Sequence, residues 1–256
     1  MRATFYGRLA THSYDVGDNP PDIIALYLAA WEARGRPNPV LEPMCGTGLN
    51  LIPFLRAGAD CDGVDVSPFM LERCRDHLLE AGLTCRLYEQ DVVTFQGDRA
   101  YRFIFVPGGS FAMIIDHDAV RTCVKHIWNA LAPGGWFLFD VRTPHQIDTF
   151  GTHEQIVQGF QELPDGSLIF STGQWQHHEH GTLIRHLVKH EYFPNRTLHS
   201  AEVFDYRERL YTQADMQMLL TQAGFHHIEF RKAYDLNQLP APEEGFVVIA
   251  QKDVKQ

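Results

Sequence analysis

The 256-residue sequence has no apolar run approaching the ~20 residues a membrane span requires, so no transmembrane helix is expected. It has no Cys-x-x-Cys pair. Its five cysteines, an odd number, stand singly at Cys45, Cys61, Cys74, Cys85 and Cys123. That pattern speaks against a disulfide framework and points to free, mostly buried thiols in a reducing compartment. It has no Lys/Arg run and carries a formal net charge of −10. A nucleic-acid partner, which demands a basic face, is therefore not expected. The N-terminal stretch lacks the apolar core of a signal peptide, so a cytoplasmic location is the expectation. Repeats and low-complexity tracts are absent too. What remains is a chain with 45% hydrophobic and 21% charged residues, enough for one large domain or one domain with a sizeable insertion.

Residues 1–19 are polar and aromatic without a clear period. Pro20-Pro21 then opens a helix, a place where proline gives up no hydrogen bond. Its apolar positions Ile23, Ile24, Tyr27, Ala30 and Trp31 share one face. A strand–helix alternation follows. Strands are expected at Val40–Glu42, Cys61–Val66, Thr84–Glu89, Tyr101–Val106 and Trp136–Val141. Helices are expected at Asn50–Ala57, from Ser67-Pro68 through Leu79, and at Asp116–Leu131. Five strands alternating with helices imply a parallel sheet covered on both faces. The pattern changes after Thr143. Residues 153–210 alternate in long stretches broken by turn signals, reading as an antiparallel meander of about four strands. A helix at Gln213–Gln222 and strands at Phe225–Ala233 and Gly245–Gln251 close the chain.

The chemistry gathers at strand ends. In Leu41-Glu42-Pro43-Met44-Cys45-Gly46-Thr47-Gly48 a strand runs into a glycine loop and then a helix. Gly46 and Gly48 permit a tight turn and a close backbone approach to a ligand. Glu42 sits just before the loop, where a dinucleotide's pyrophosphate would meet a like charge. The third glycine of the dinucleotide fingerprint is replaced by Leu51. Asp65, ending the second strand in Gly63-Val64-Asp65-Val66-Ser67, suits a pair of ribose hydroxyls. Gln90-Asp91-Val92 follows the third strand, where an acceptor side chain suits an adenine amino group.

In this order, with Leu131-Ala132-Pro133-Gly134-Gly135 before the fifth strand, these motifs resemble the class I S-adenosylmethionine (SAM)-dependent methyltransferases over roughly residues 40–141. The resemblance implies an α/β fold: a Rossmann-like, seven-stranded, mostly parallel sheet with helices on both faces and an antiparallel last strand. It implies SAM as cofactor and a small-molecule methyl acceptor. In this reading residues 1–36 form an N-terminal cap and helix, 37–142 and 211–256 the SAM-binding core, and 143–210 an antiparallel insertion over the active site. A homodimer through that insertion is a further expectation. The resemblance places Glu42, Gly46 and Gly48 at the methionine end, Asp65 at the ribose, Asp91 at the adenine amino group and Met70 against the adenine. Met44, Cys45, Asn50, Val66, Gln90, Val92 and Pro107 complete the expected cofactor shell. Tyr14 belongs to a segment that in such enzymes closes over the methyl-donor end. The late meander resembles small-molecule enzymes such as glycine and sugar-amine N-methyltransferases.

Acceptor residues are less determined. Methyl transfer is an in-line displacement, so alignment matters most, and a base is needed only for a protonated nucleophile. Ser110, Phe111, Met113 and Asp116 follow the fourth strand at the carboxyl edge of the sheet; Asp116 is alternatively only a helix cap. His145 and Asp140 follow the fifth strand, and His145 is the better base by intrinsic pKa. Trp175, Arg185, Tyr206, Arg207 and Arg209 can reach the site from the meander; alternatively the arginines form cross-strand salt bridges. Histidines cluster at His177, His178, His180, His186, His190 and His199, but no helical His pair or cysteine partner accompanies them, and no metal is expected. Two other functions stay open: a nicotinamide-dependent oxidoreductase, which Glu42 disfavours, and a non-catalytic SAM-binding or dimerisation protein.

Overall fold

The computed structural model describes residues 6–16, 21–144, 156–163, 165–178, 182–233, 235–242 and 244–254. In chain order the elements are α1 (Arg8–Val16), α2 (Pro21–Ala33), β1 (Val40–Pro43), α3 (Leu51–Arg56), β2 (Cys61–Asp65) and α4 (Pro68–Glu80). Next come β3 (Leu87–Glu89), β4 (Tyr101–Val106), α5 (His117–Ala130) and β5 (Leu131–Val141). Four strands follow, β6 (Ile156–Glu162), β7 (Leu168–His178), β8 (Leu183–Phe193) and β9 (Ser200–Arg209). The chain closes with α6 (Gln213–Ala223), β10 (His227–Lys232) and β11 (Phe246–Gln251).

The main sheet has seven strands in the order β10-β11-β5-β4-β1-β2-β3. β1 to β5 pair in parallel, while β11 runs antiparallel to both β5 and β10. The runs Phe103-Ile104-Phe105 and Phe137-Leu138-Phe139 are buried on both faces, as a sheet with helices on each side requires. Odd and even positions feed different cores. Phe103, Phe105 and Leu138 meet Tyr27, Trp31 and Phe54 from α2 and α3. Ile104, Phe137 and Phe139 meet Val124, Ile127 and Leu220 from α5 and α6. The strand order reverses between β1 and β4, so the loops after β1, β2, β3 and β4 converge at one carboxyl edge. That crevice is where open α/β sheets bind ligands.

The meander forms a separate antiparallel sheet, β6-β7-β8-β9. It is joined to the main sheet by Arg142, whose Nη1 donates to Glu208 at 3.1 Å, and by Arg209, whose Nε donates to the Ile115 carbonyl at 2.7 Å.

The N-terminal segment, expected to be irregular, contains α1. Its sequence Arg-Leu-Ala-Thr-His-Ser-Tyr-Asp-Val is too short and too rich in weak formers to stand alone, so tertiary partners hold it. Glu202 of β9 accepts from the Leu9 and Ala10 N–H groups at 3.1 and 3.4 Å, satisfying donors that a helix start leaves unpaired. Gly7 permits this approach, because a β-carbon there would lie 2.2 Å from a Glu202 oxygen. At the other end Asp15 accepts from Arg73 Nε of α4 at 2.7 Å. Between them, Ser13 and Ser171 hydroxyls lie 3.2 and 2.8 Å from Nδ1 of the buried His190.

Candidate active site

The loop after β1 turns through three left-handed residues, Met44, Gly46 and Gly48, with φ of 60°, 55° and 84°. Met44 is the non-glycine among them, a placement uncommon outside sites where structure over-determines the backbone. The Gly46 N–H donates to Asp65 Oδ2 at 2.9 Å, and the Ser67 N–H to Asp65 Oδ1 at 2.9 Å. The carboxylate ending β2 is thus clamped against the glycine loop. Burial pushes its pKa up, opposed by the N–H donors of Ser67, Gly46 and Val66. Ser67 caps α4, as its sequence setting implied, accepting from the Met70 N–H at 3.2 Å. Its hydroxyl also donates to the Tyr6 carbonyl at 2.6 Å, tying the N-terminal segment over the site.

A cavity of about 480 Å³ opens here, within the range of small-molecule sites. Of the expected cofactor shell, Tyr14, Met44, Gly46, Asp65, Val66 and Met70 line it, as do Gln90, Asp91 and Val92. Asp91 Oδ1 accepts from the Val93 N–H at 2.9 Å, which fixes its loop. Ser110, Met113 and Asp116 line the same cavity from the segment after β4. Sequence reasoning missed Tyr6, Ile114 and Ile115. Tyr6 gave no periodic signal, because a distant hydroxyl and a distant strand place it.

Other expected residues lie elsewhere. Cys45, Gly48, Asn50 and Pro107 do not line the cavity; they build the loops beneath it. Phe111 is a correction: it is 1% exposed and packs on Phe139, with ring centroids 4.4 Å apart, in the apolar core. Asp116 caps α5, accepting from the Asp118 and Ala119 N–H groups at 3.0 and 2.9 Å. The Ala119 N–H holds its pKa below the usual carboxylate value, which makes it a poor base. Arg207 pairs with Asp205, which also binds Arg185, on the face of β9 opposite that of Glu202. The salt-bridge alternative therefore describes it. His145 and the side chain of Trp175 lie outside the described residues, as do His180 and the side chains of His177 and His178. Among the described residues no group of three or more His, Cys, Asp or Glu is arranged to hold a metal, and no helix is long and apolar enough to cross a membrane.

Glu42 stands in β1, where the sequence put it, but does not line the cavity. It is 1% exposed, lies under the loop, and one oxygen, Oε2, has no hydrogen-bond partner. Burial pushes its pKa well above the ordinary value, partly offset by a hydrogen bond with Asn50. A buried, half-satisfied carboxylate is costly unless a positive group approaches. Its ionisation therefore destabilises the ligand-free fold, and stability falls as pH rises from the ordinary glutamate range toward the raised pKa. The ligand-free Glu42→Gln variant is expected to lack this loss. Its melting temperature gains on the wild type as pH is raised; parallel curves from pH 4 to 9 would contradict the assignment.

Tyr6 and Tyr14 of the N-terminal segment line the cavity, and the small sheet backs them through Phe204. The Tyr6 ring contacts Tyr14 at 5.4 Å and Phe204 at 4.3 Å. Burial raises the Tyr14 pKa to about 12, so its hydroxyl stays neutral. At the end of β5, Asp140 accepts from the Tyr27 hydroxyl at 2.6 Å and the Gly108 N–H at 2.9 Å, fixing the loop after β4.

The seven-stranded, mostly parallel sheet with its antiparallel last strand is the fold that the resemblance to class I SAM-dependent methyltransferases implied. Within this chain, residues 40–135 match the family model described as a methyltransferase domain. A protein of Geobacillus sp. (strain WCH70), provisionally named a methyltransferase, is 23% identical over 194 residues, 74% of each chain. Among solved structures, a SAM-dependent methyltransferase from Clostridium acetobutylicum ATCC 824 superposes with a TM-score of 0.78 at 20% identity, covering 94% of this chain and 97% of that one. A sugar N-methyltransferase from Streptoalloteichus sp ATCC 53650 superposes with a TM-score of 0.76 at 19% identity, covering 99% and 96%.

Proposed function

We propose that the protein transfers the methyl group of SAM to a nucleophile on a small molecule, with an amino nitrogen preferred over oxygen. The observation that carries this is Asp65: a buried carboxylate ending β2, clamped by the Gly46 N–H, on the wall of a cavity of about 480 Å³ at the carboxyl edge of the sheet. That position suits two ribose hydroxyls. Asp91 and Gln90 suit the adenine amino edge, and Met70 with Val66 and Val92 supplies apolar contact to the ring. The methionine end lies toward Gly46, Met44 and Tyr14. Glu42 beneath the loop, with its unpartnered oxygen, fits a ligand carrying positive charge and opposes a pyrophosphate.

Bound SAM supplies an electrophilic methyl on a positive sulfur. The chain's part is to align the acceptor on the sulfur–methyl axis and to exclude water. Tyr6, Tyr14, Met113 and Ile114 wall the space on that side. The acidic side chains Asp65, Asp91 and Asp116 on the cavity wall, with no basic side chain among its lining residues, favour a cationic acceptor over an acidic one. The likeness to a sugar N-methyltransferase over nearly the whole chain supports the nitrogen preference.

Calorimetry with SAM, S-adenosylhomocysteine (SAH) and NAD tests the cofactor, and SAH release over a panel of small amines and phenols tests the acceptor. Micromolar binding of both adenosyl compounds is expected, with turnover on amines. Binding of NAD but of neither adenosyl compound overturns the reading.

A further inference from the structure

The inner face of the small sheet holds a polar group that cofactor binding does not use. Strand alternation puts Glu202, Phe204, Tyr206 and Glu208 of β9 on one face. Glu202 meets α1 and Phe204 packs on Tyr6, whose ring lines the cavity, so this face backs the Tyr6 wall of the cavity. Tyr206 is the next ring along, 5.8 Å from Phe204 in a stacked arrangement. Its hydroxyl donates to Glu208 Oε1, and the other carboxylate oxygen accepts from Arg142 Nη1 at 3.1 Å. Glu208 is 1% exposed, so the protein, not solvent, holds it.

We propose that Tyr206 and Glu208, braced by Arg142, form the subsite that receives the acceptor's nitrogen as an ammonium group. This rests on the methyl-transfer reading and deepens it. The polarity of the hydrogen bonds supports it first. A carboxylate only accepts, so Glu208 commits the Tyr206 proton. The Tyr206 oxygen then has its lone pairs for an incoming donor, and among the described residues no protein donor reaches it. Charge supports it second. Glu208 is faced by Arg142 and Asp140 from β5, Tyr206 on its own strand, His186 across from Tyr206 on β8, and Tyr6 from the N-terminal segment. Burial and Arg142 push the His186 pKa down to about 4, so it adds no positive charge at neutral pH. Arg142 also acts on Asp140, so one guanidinium serves two carboxyl groups.

The group also answers a chemical need. An ammonium has no lone pair and must lose a proton before nitrogen attacks. In one relay an ammonium proton passes to the Tyr206 oxygen while the Tyr206 proton passes to Glu208. The neutral amine's lone pair then forms the nitrogen–carbon bond. The sulfur–carbon bond breaks with its electron pair to sulfur, leaving a thioether and an N-methylammonium. Glu208 releases its proton to solvent as product departs. Burial raises the proton affinity of Glu208, which brings it closer to that of the group it serves. Tyr206 is the catalytic residue here; Glu208 acts through it, and Arg142 positions Glu208.

Sinefungin, a SAM analogue bearing an amine where SAM bears its methyl-sulfonium, probes this subsite without knowledge of the acceptor. Calorimetry compares sinefungin with SAH on the full chain as wild type, Tyr206→Phe and Glu208→Gln. Each variant is expected to lose about tenfold in sinefungin affinity, as for one hydrogen bond to a charged group, while SAH affinity stays within about twofold. Wild-type preference for sinefungin should also decline as pH falls and Glu208 protonates, and the Glu208→Gln preference should stay flat. Tyr206→Phe, which removes only a hydroxyl, carries the test if Glu208→Gln does not fold. Equal losses for both ligands, or an unchanged sinefungin affinity, overturn the proposal. A wild type that binds no SAH overturns instead the methyl-donor reading beneath it.

Discussion

Replacing Asp65 with alanine should lower the affinity for both SAM and SAH by about a hundredfold or more, because two hydrogen bonds to one charged group are lost. The effect should be equal for the two ligands, since they share the ribose and differ only at sulfur. Asp65 Oδ1 and Oδ2 each hold a backbone N–H at 2.9 Å, so the variant also leaves the Gly46 and Ser67 donors to water. The loop should loosen without loss of the fold. Calorimetry on the purified variant, with circular dichroism to confirm folding, reads this directly. Retained micromolar binding would place the ribose away from the end of β2.

Gly48→Val should have the largest effect on stability. Gly48 has φ of 84°, a conformation that a β-branched residue adopts only under strain. An added β-carbon would stand 2.8 Å from the Cys74 sulfur, which is buried in α4. Backbone strain and overpacking together cost roughly 2–5 kcal/mol, so thermal unfolding should move down by about 5–15 °C. Adding Cys74→Ala relieves the contact but not the backbone, and should recover only part of the shift. Full recovery in the double variant would mean that sterics alone fixed glycine here; no shift in the single variant would mean that the loop has room to move.

The core of this fold was legible because local signals and global pattern agree. Glycines, caps and apolar runs between residues 40 and 141 each mark a strand end or a helix start, and Ser67 caps α4 as its neighbour Pro68 implied. The Asp65 and Asp91 positions followed, because strand ends at one sheet edge converge whatever the details. Three things did not follow. Helix α1 has no intrinsic signal, since Glu202 and Arg73 supply its ends from far along the chain. Phe111 follows β4 at the expected edge, yet its side chain turns into the core against Phe139; a sequence names the loop and not the rotamer. Glu42 is at the expected strand end but off the cavity wall, and only three-dimensional packing tells a carboxylate that lines a cavity from one buried behind it.

The pinning of α1 also bears on how the molecule comes into being. The contacts of Leu9 and Ala10 with Glu202 join residues 193 and 192 positions apart. The N-terminal end of the first helix is thus without its anchor until almost four-fifths of the polypeptide exists, although Arg73 can hold its other end much earlier. Closing so long a loop is slow compared with forming βαβ units from neighbours. The strands that end at Asp65 and just before Asp91 can pair early, whereas the full setting of Tyr6 and Tyr14 waits for β9. A nascent chain stalled before β9 would carry Asp65 and most of the sheet edge, yet lack the strand that packs on Tyr6 and holds the start of α1.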